Sequence, residues 1–437
     1  MSKETMVELN RAIDERRGRY DRIAKAWTGN SPAAFMSKKS REALDDRLSR
    51  LGVNYPRLVV NSKVDRLSVS GFVSRETGES DPNVWSAWER AGLVSKSEKI
   101  HTDYYLYGAA YATVWATMNG RPAITTGTPL STCVLTDPAS GEVLAALRRL
   151  RVKDGTKAIL FEPDKVSVFT STSPDFMAGP GGWRTESVTD NPFGIVPVVP
   201  FIREQSSEDV EGTSAVEDIL DLTDAQAKIL ADAMVTSEHF ARPRRWATGL
   251  EIDEDEDGNV VDPFRRESHL QSESPDTKFG QFNTADMSGY ESLIATITQQ
   301  IGSLTGLPPH YLGLHGDQPA NADGVRAAEA QLASAAYSDQ RQLNAPWSRV
   351  AQLLAAVGND AIDPTESNWK PVYSSPEIRT PAQAADAALK QRDIGIPLET
   401  VLVETLGYAP DHAKEIAQLA DRANIAAAAG SLGRLQP

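Results

Sequence analysis

The chain has 437 residues, 40% of them hydrophobic and 24% charged, the composition of a folding chain rather than a disordered one. With 45 Lys and Arg against 60 Asp and Glu the net charge is −15, the wrong sign for a protein that grips nucleic acid by neutralising phosphates. Cys133 is the single cysteine, which excludes an internal disulfide and a thiolate zinc site, and no run approaches the ~20 apolar residues of a membrane span. The charged, amphipathic N-terminus shows no apolar signal-peptide core, so the expectation is synthesis in the cytoplasm and no membrane association.

Residues 4–28 read as an amphipathic helix with Met6, Leu9, Ile13, Tyr20, Ile23 and Trp27 along one side, and a second helix is expected over 41–51. The run 55–67 fits a strand or a buried helix equally, and 83–91 carries Trp85 and Trp88 one helical turn apart, which reads as core packing. From His101 the reading changes to strands. The aromatic run 101–116 meets Asn119-Gly120, a hairpin signal, and short runs follow at 123–126, 132–136, 143–152, 158–161 and 166–170. Tight turns between them predict an antiparallel meander, and 195–201 predicts a strand that Pro197 and Pro200 confine to an edge.

The stretch 212–249 organises the rest. Ser214 and Glu217 have the spacing of a capping box, and Val216, Ile219, Leu220, Ala227, Leu230 and Met234 follow at helical spacing as one buried stripe. The other face is acidic, with Glu217, Asp218, Asp221, Asp224, Asp232 and Glu238 against Lys228 alone. Running to about Phe240, such a helix would be ~40 Å long. Pro243 stops it among Arg242, Arg244, Arg245 and Trp246, a basic knot that suits either a helix C-terminus or contact with a charged partner. A β-hairpin is expected around Asp257-Gly258-Asn259, and helix returns over 286–306 with a second capping box, Ser288 and Glu291. A Pro/Gly-rich loop, 307–321, precedes a long helix over 322–357 that Pro346 should kink, and three alanine-rich helical pieces close the chain.

Motifs that carry chemistry are scarce. Asp253, Asp255, Asp257 and Gly258 open an EF-hand pattern, but its twelfth position is Phe264 where a bidentate Glu is required, so an acidic hairpin tip is the better reading. His310, His315 and Asp317 share one loop without the helical pairing that metal sites use. Neither a phosphate-binding loop nor a dinucleotide fingerprint nor a nucleophile elbow occurs, so neither an enzymatic activity nor a cofactor is expected.

The stretches LGVNYPRLVVNSKVDRLSVSGF, NPFGIVPVVPF, GTSAVEDILDLTDAQAKILADAMVTSEHFARPRRWATG, SLTGLPPHYLGLHGDQPANADGVRAAEAQL and QRDIGIPLETVLVETLGYAP, in this order and spacing, resemble the portal (head-to-tail connector) proteins of tailed bacteriophages, in the branch found among phages of actinobacteria. The resemblance implies an α+β portal fold with a mixed wing (1–211), a two-helix stem (212–241 and 288–306), a small β-containing clip (242–287), a tunnel loop (307–321), a long kinked helix returning to the wing (322–375) and a helical crown (376–437). It also implies a homo-oligomeric, dodecameric ring at one capsid vertex of the virion. Its partners would be the major capsid protein and scaffold, the terminase large subunit, a head-completion adaptor, and double-stranded DNA passing non-specifically. On this reading Glu217, Asp221, Asp224, Asp232, His315, Asp317 and Gln318 line the DNA channel, while Arg242, Arg244, Arg245 and Trp246 dock the terminase or adaptor. The competing readings are another virion structural protein, capsid or adaptor, and a metal-dependent hydrolase. The helix–hairpin–helix order followed by a Pro-rich loop favours the portal.

Overall fold

The computed structural model describes residues 2–30, 53–117, 119–173, 176, 180–240, 245–249, 275–281, 287–314, 322–357, 359, 361–377 and 381–433. The expected helix over 41–51, the hairpin around 257–259 and the EF-hand-like pattern lie outside them. The chain forms two compact units, one of Met1–Thr28, Asn54–Leu220 and Gly302–Pro437, the other of Gly29–Val53 and Asp221–Ile301.

In the first unit, helix α1 (Ser2–Trp27) buries the expected Met6, Leu9, Ile13, Tyr20 and Ile23. Met6, Leu9 and Ile13 pack on Leu147, Leu160, Phe169 and Trp183 of an antiparallel five-stranded region. That sheet is the meander expected from the turns: β4 (Thr132–Thr136), β5 (Val143–Val152), β6 (Gly155–Phe161), β7 (Lys165–Ser171) and β8 (Arg184–Asp190), adjacent in chain order. Arg149 closes one side of the interface, with Nη1 donating to Asp14 at 2.7 Å and its guanidinium 4.6 Å from the Phe176 ring. A second sheet sets β2 (Ala109–Ala116) between β3 (Pro122–Gly127) and β9 (Val198–Ile202). Pro200 thus occupies an edge strand, where its missing N–H costs no ladder bond.

Two readings change. The ambiguous run at 55 is a helix, α2 (Tyr55–Val64), because Asn54 caps it by accepting from Arg57 N at 3.0 Å and Pro56 suits the first turn. The aromatic run from His101 is not strand at its start. Helix α4 (Leu93–Tyr107) continues to Gly108, whose φ of 80° ends it and turns the chain into β2. Between them lies α3 (Pro82–Arg90), capped by Asp81. A further pair, β1 (Val69–Ser74) with β12 (Trp369–Tyr373), joins segments ~300 residues apart in sequence and escaped the sequence reading.

The aromatic core sits under these elements. Trp88 lies 4.9 Å from Trp347 and 5.1 Å from Phe72, while Trp85 stacks on Trp88 at 6.0 Å, the packing role expected of the pair. Trp347 belongs to the long helix α7 (Ala322–Ala356), which runs through Pro346 as one helix. Three helices end the chain, α8 (Pro381–Asp393), α9 (Leu398–Glu404) and α10 (Pro410–Gly433).

The second unit holds α5 (Leu220–Phe240) from Asp221 on, strands β10 (Arg245–Thr248) and β11 (Lys278–Gln281), and α6 (Ser288–Thr305) as far as Ile301. The first capping box does not form as expected. Glu217–Ile219 is a single 3-10 turn before α5, and Ser288 is already inside α6, with Met287 O accepting from Tyr290 N and Glu291 N.

Candidate channel and docking surfaces

Helices α5 and α6 run antiparallel, held by polar side chains at two levels. Gln226 Nε2 donates to Thr298 Oγ1 at 3.0 Å in a buried contact, and Thr236 Oγ1 meets Tyr290 Oη at 3.1 Å. The Thr298 hydroxyl also donates, to Ile294 O at 2.7 Å. Continuing in the same sense, Arg245 pairs with Gln281 and Thr248 with Lys278 in the β10–β11 ladder. Helix, strand, strand and helix therefore form one antiparallel arm. A buried, satisfied polar pair fixes helix register more sharply than apolar contact, because sliding would orphan both groups.

The stripe expected on α5 is buried only at its root. Val216, Ile219 and Leu220 are buried, but further along it is Gln226 and Ala231 that are buried, while Met234 is 49% exposed. Helix α6 likewise leaves Leu293 and Leu304 more than half exposed.

The charges divide unequally between the two helices. Asp221 is exposed in the first turn of α5, and Asp224 and Asp232 are half-buried. Asp232 is paired with Lys228 at 2.5 Å one turn away, which offsets its charge locally. Across 18 residues α6 carries Glu291 as its one charged side chain.

Glu217 is engaged elsewhere than the sequence suggested. Its carboxylate accepts from Arg19 Nε at 2.8 Å and Nη2 at 2.6 Å, and this hydrogen bonding holds the guanidinium pKa above its ordinary value. Ser214, its expected capping partner, is buried, donates from Oγ to Leu106 O at 2.6 Å and accepts from Val216 N at 3.2 Å. The sequence reading missed Arg19, 198 residues before Glu217, because nothing local marks it as a partner.

Trp246 lies on β10, 37% exposed, opposite Gly280. A Cβ on Gly280 would come within 2.5 Å of the indole, so glycine is what lets the ring lie across the strand pair. Arg245 pairs in β10 through its backbone, and Arg242, Arg244, His315, Asp317 and Gln318 lie outside the described residues.

The chain leaving α6 turns at Gly306, with φ of 69°, buries Leu307 and forms a 3-10 turn, Pro309–Leu312. Tyr311 N donates to Pro308 O and Leu314 N to Pro309 O, each at 3.0 Å. The Tyr311 hydroxyl then enters a buried polar group with Arg66 and Glu329. Among the described residues no three His, Cys, Asp or Glu side chains converge in a way that would hold a metal ion, and no helix is long and apolar enough to cross a membrane.

Residues 8–427 match the family described as phage portal protein, SPP1 Gp6-like. The chain is 28% identical over 406 residues to the portal protein of Mycobacterium phage L5 and 27% identical to that of Mycobacterium phage D29, each alignment covering 88% of this chain and 81% of the relative. In fold it is similar to a chain from the neck of an empty GTA particle, with a TM-score of 0.50 at 15% identity over 83% of this chain and 90% of that one. With its helix–strand–strand–helix arm set between α+β segments, the chain belongs to the phage portal protein family, SPP1 Gp6-like.

Proposed function

We propose that this chain is one subunit of a homo-oligomeric ring at a capsid vertex, a virion component through which double-stranded DNA is packaged and ejected. The observation that carries the reading within the chain is the antiparallel arm registered by Gln226–Thr298 and Thr236–Tyr290. In this reading residues 212–241 and 288–306 are the stem, 242–287 the clip, 307–321 the channel-lining loop and 322–375 the helix that follows it. Residues 1–211 are the wing and 376–437 the crown.

The remaining assignments follow from charge. Asp221 and Asp224, in the first two turns of the stem helix, supply a wall that repels phosphates within a Debye length of ~8 Å. The contribution of Asp232 is offset by Lys228, and Glu217 serves Arg19 at the root. His315, Asp317 and Gln318 belong to the loop that meets DNA. Arg242, Arg244, Arg245 and Trp246 form the surface for the terminase large subunit and the head-completion adaptor, and the motor's ATPase supplies the energy for translocation.

Electron microscopy of the purified protein viewed end-on tests the ring: round projections with a central hole support it, and a shell or solid filament refutes it. Reversing Asp221 and Asp224 to Lys should slow packaging in a reconstituted reaction without disturbing the ring. An unchanged rate removes repulsion as their role.

A further inference from the structure

Three segments of the first unit, distant in sequence, converge on one side chain. Arg66, in the turn after α2, is 7% exposed. Its Nη1 donates to Pro376 O at 2.6 Å, on the chain leading to α8, and its Nη2 donates to Tyr311 Oη at 3.1 Å, in the turn after α6. The same Nη2 lies 3.4 Å from Glu329 Oε1 on α7, an oxygen that also lies 3.4 Å from Tyr311 Oη and 3.6 Å from His310 Nε2. Glu329 too is buried, at 7%. The residues flanking the turn are fitted to it: a Cβ on Gly302 would meet Leu312 Cδ1 at 2.6 Å, and Gly306 lies against the Gln331 side chain.

Buried charges at this density are a poor way to gain stability, since desolvating the two ions offsets most of their attraction. What the arrangement does supply is direction. A guanidinium presents its donors in a fixed fork, and here the fork spends one arm on a backbone carbonyl and the other on a phenol and a carboxylate. The Tyr311 ring therefore has one position, and with it the turn Pro309–Leu312.

We propose that Arg66, backed by Glu329, is a positioning residue for the channel segment: it anchors the root of that segment, residues 307–314, to the long helix and to the start of the C-terminal helices. This rests on the reading of 307–321 as channel-lining given above. The anchor fixes where the segment leaves the body of the subunit.

The pair also lines a cavity of about 630 Å³ between α7 and α8, bordered by Ala330, Ala333, Tyr337 and Ala387. Arg66→Met therefore has room for its side chain without overpacking. Lysine is no substitute, because one ammonium cannot serve Pro376 O and Tyr311 Oη with the guanidinium's geometry. Glu329→Gln keeps size and an acceptor oxygen and serves as the milder variant.

The test uses the full chain and two readouts, hydrogen exchange of the 311–314 amides and DNA packaging by assembled particles. Losing a charge-assisted hydrogen bond at the root should speed exchange at Tyr311 and Leu314 by roughly tenfold or more in Arg66→Met, and by less in Glu329→Gln. Amides of α7 beyond Leu343 should be unchanged. Rings should form, and packaging should slow in the same rank order as the exchange. Unchanged exchange at 311–314 in both variants overturns the anchor. Faster exchange with wild-type packaging overturns its positioning role. Wild-type protein that forms no ring with a channel refutes the portal reading instead, and the exchange result still decides whether Arg66 anchors the turn.

Discussion

Acidification should destabilise the first unit through His101, and the size of the effect follows from its surroundings. His101 is fully buried on α4, where Trp347 Nε1 donates to its Nε2 at 3.0 Å and the Trp347 ring packs against it at 5.6 Å. An accepting Nε2 means the neutral ring carries its proton on Nδ1, which looks toward the Leu67 carbonyl without reaching hydrogen-bond geometry. Burial is the main cause that lowers the pKa from 6.5 to about 4. A depressed histidine pKa means that the unfolded chain takes up the proton first as the pH falls. The stabilising effect is therefore complete above pH 6.5 and is lost progressively toward about pH 4. At ~1.4 kcal/mol per pH unit the loss amounts to roughly 3 kcal/mol.

Asp103, two residues along α4, works in the opposite direction, because burial raises its carboxyl to about 7 and acidification favours the folded state there. The wild-type pH profile alone therefore mixes two signs, and the informative quantity is the gap between wild type and His101→Gln. Glutamine keeps an acceptor for the Trp347 indole but does not titrate. The gap should be constant above pH 7 and shrink by about 3 kcal/mol by pH 4. Urea unfolding followed by tryptophan fluorescence reads this region directly, since Trp88 and Trp347 pack together at 4.9 Å beside it. A gap that does not change with pH would refute the argument that burial holds His101 neutral.

Asp103→Asn should raise the urea midpoint most at pH 8, where the wild-type carboxyl must ionise in place, less at pH 5, and not at all once the pH is below the ordinary carboxyl value of 3.8. Gly212→Ala should be severe: its φ is 84°, worth roughly 1–3 kcal/mol of strain for alanine, and its Cβ would lie 2.0 Å from Gly108 O. Soluble, wild-type-stable G212A would show that the approach of these two backbones is not required. Gln226→Leu should cost about 1–2 kcal/mol of stability. The same change made with Thr298→Val should cost less than the two separately, and strict additivity in that double-mutant cycle would deny the coupling.

What could be read from the sequence was what repeats locally. The buried side of α1 follows a helical period, and β4 and β5 were bounded correctly because apolar runs end at Asp137-Pro138 and Asp154-Gly155. The run from His101 misled because its tyrosines favour strands. Yet Leu93, Ser97, Ile100, His101, Tyr104 and Tyr105 are buried at helical spacing, and packing outweighed propensity. Strand β8 offered no signal at all, since every residue from Arg184 to Asp190 is exposed and no alternation survives. At the candidate site the two helices were legible, but β10 and β11 were not, the expected hairpin around 257–259 lying outside the described residues. The contacts that register the site were not legible either, because Gln226 with Thr298 and Arg66 with Tyr311 join residues 72 and 245 apart.

The two arm helices differ in a way that bears on how copies would meet. Inside one copy, polar contacts set the register of α5 against α6, while Met234, Leu293 and Leu304 point away from the core at 49%, 53% and 60% exposure. Covering the half of each that remains open would contribute roughly 1 kcal/mol apiece, repeated at every interface of a ring. Helix α6, with Glu291 alone charged, can enter such an interface with little charge to desolvate. Helix α5 cannot do so over Asp221 and Asp224 without burying carboxylates. On the proposed ring reading, the physically consistent arrangement turns the sparsely charged helix toward a neighbouring copy and leaves the acidic face of α5 in water.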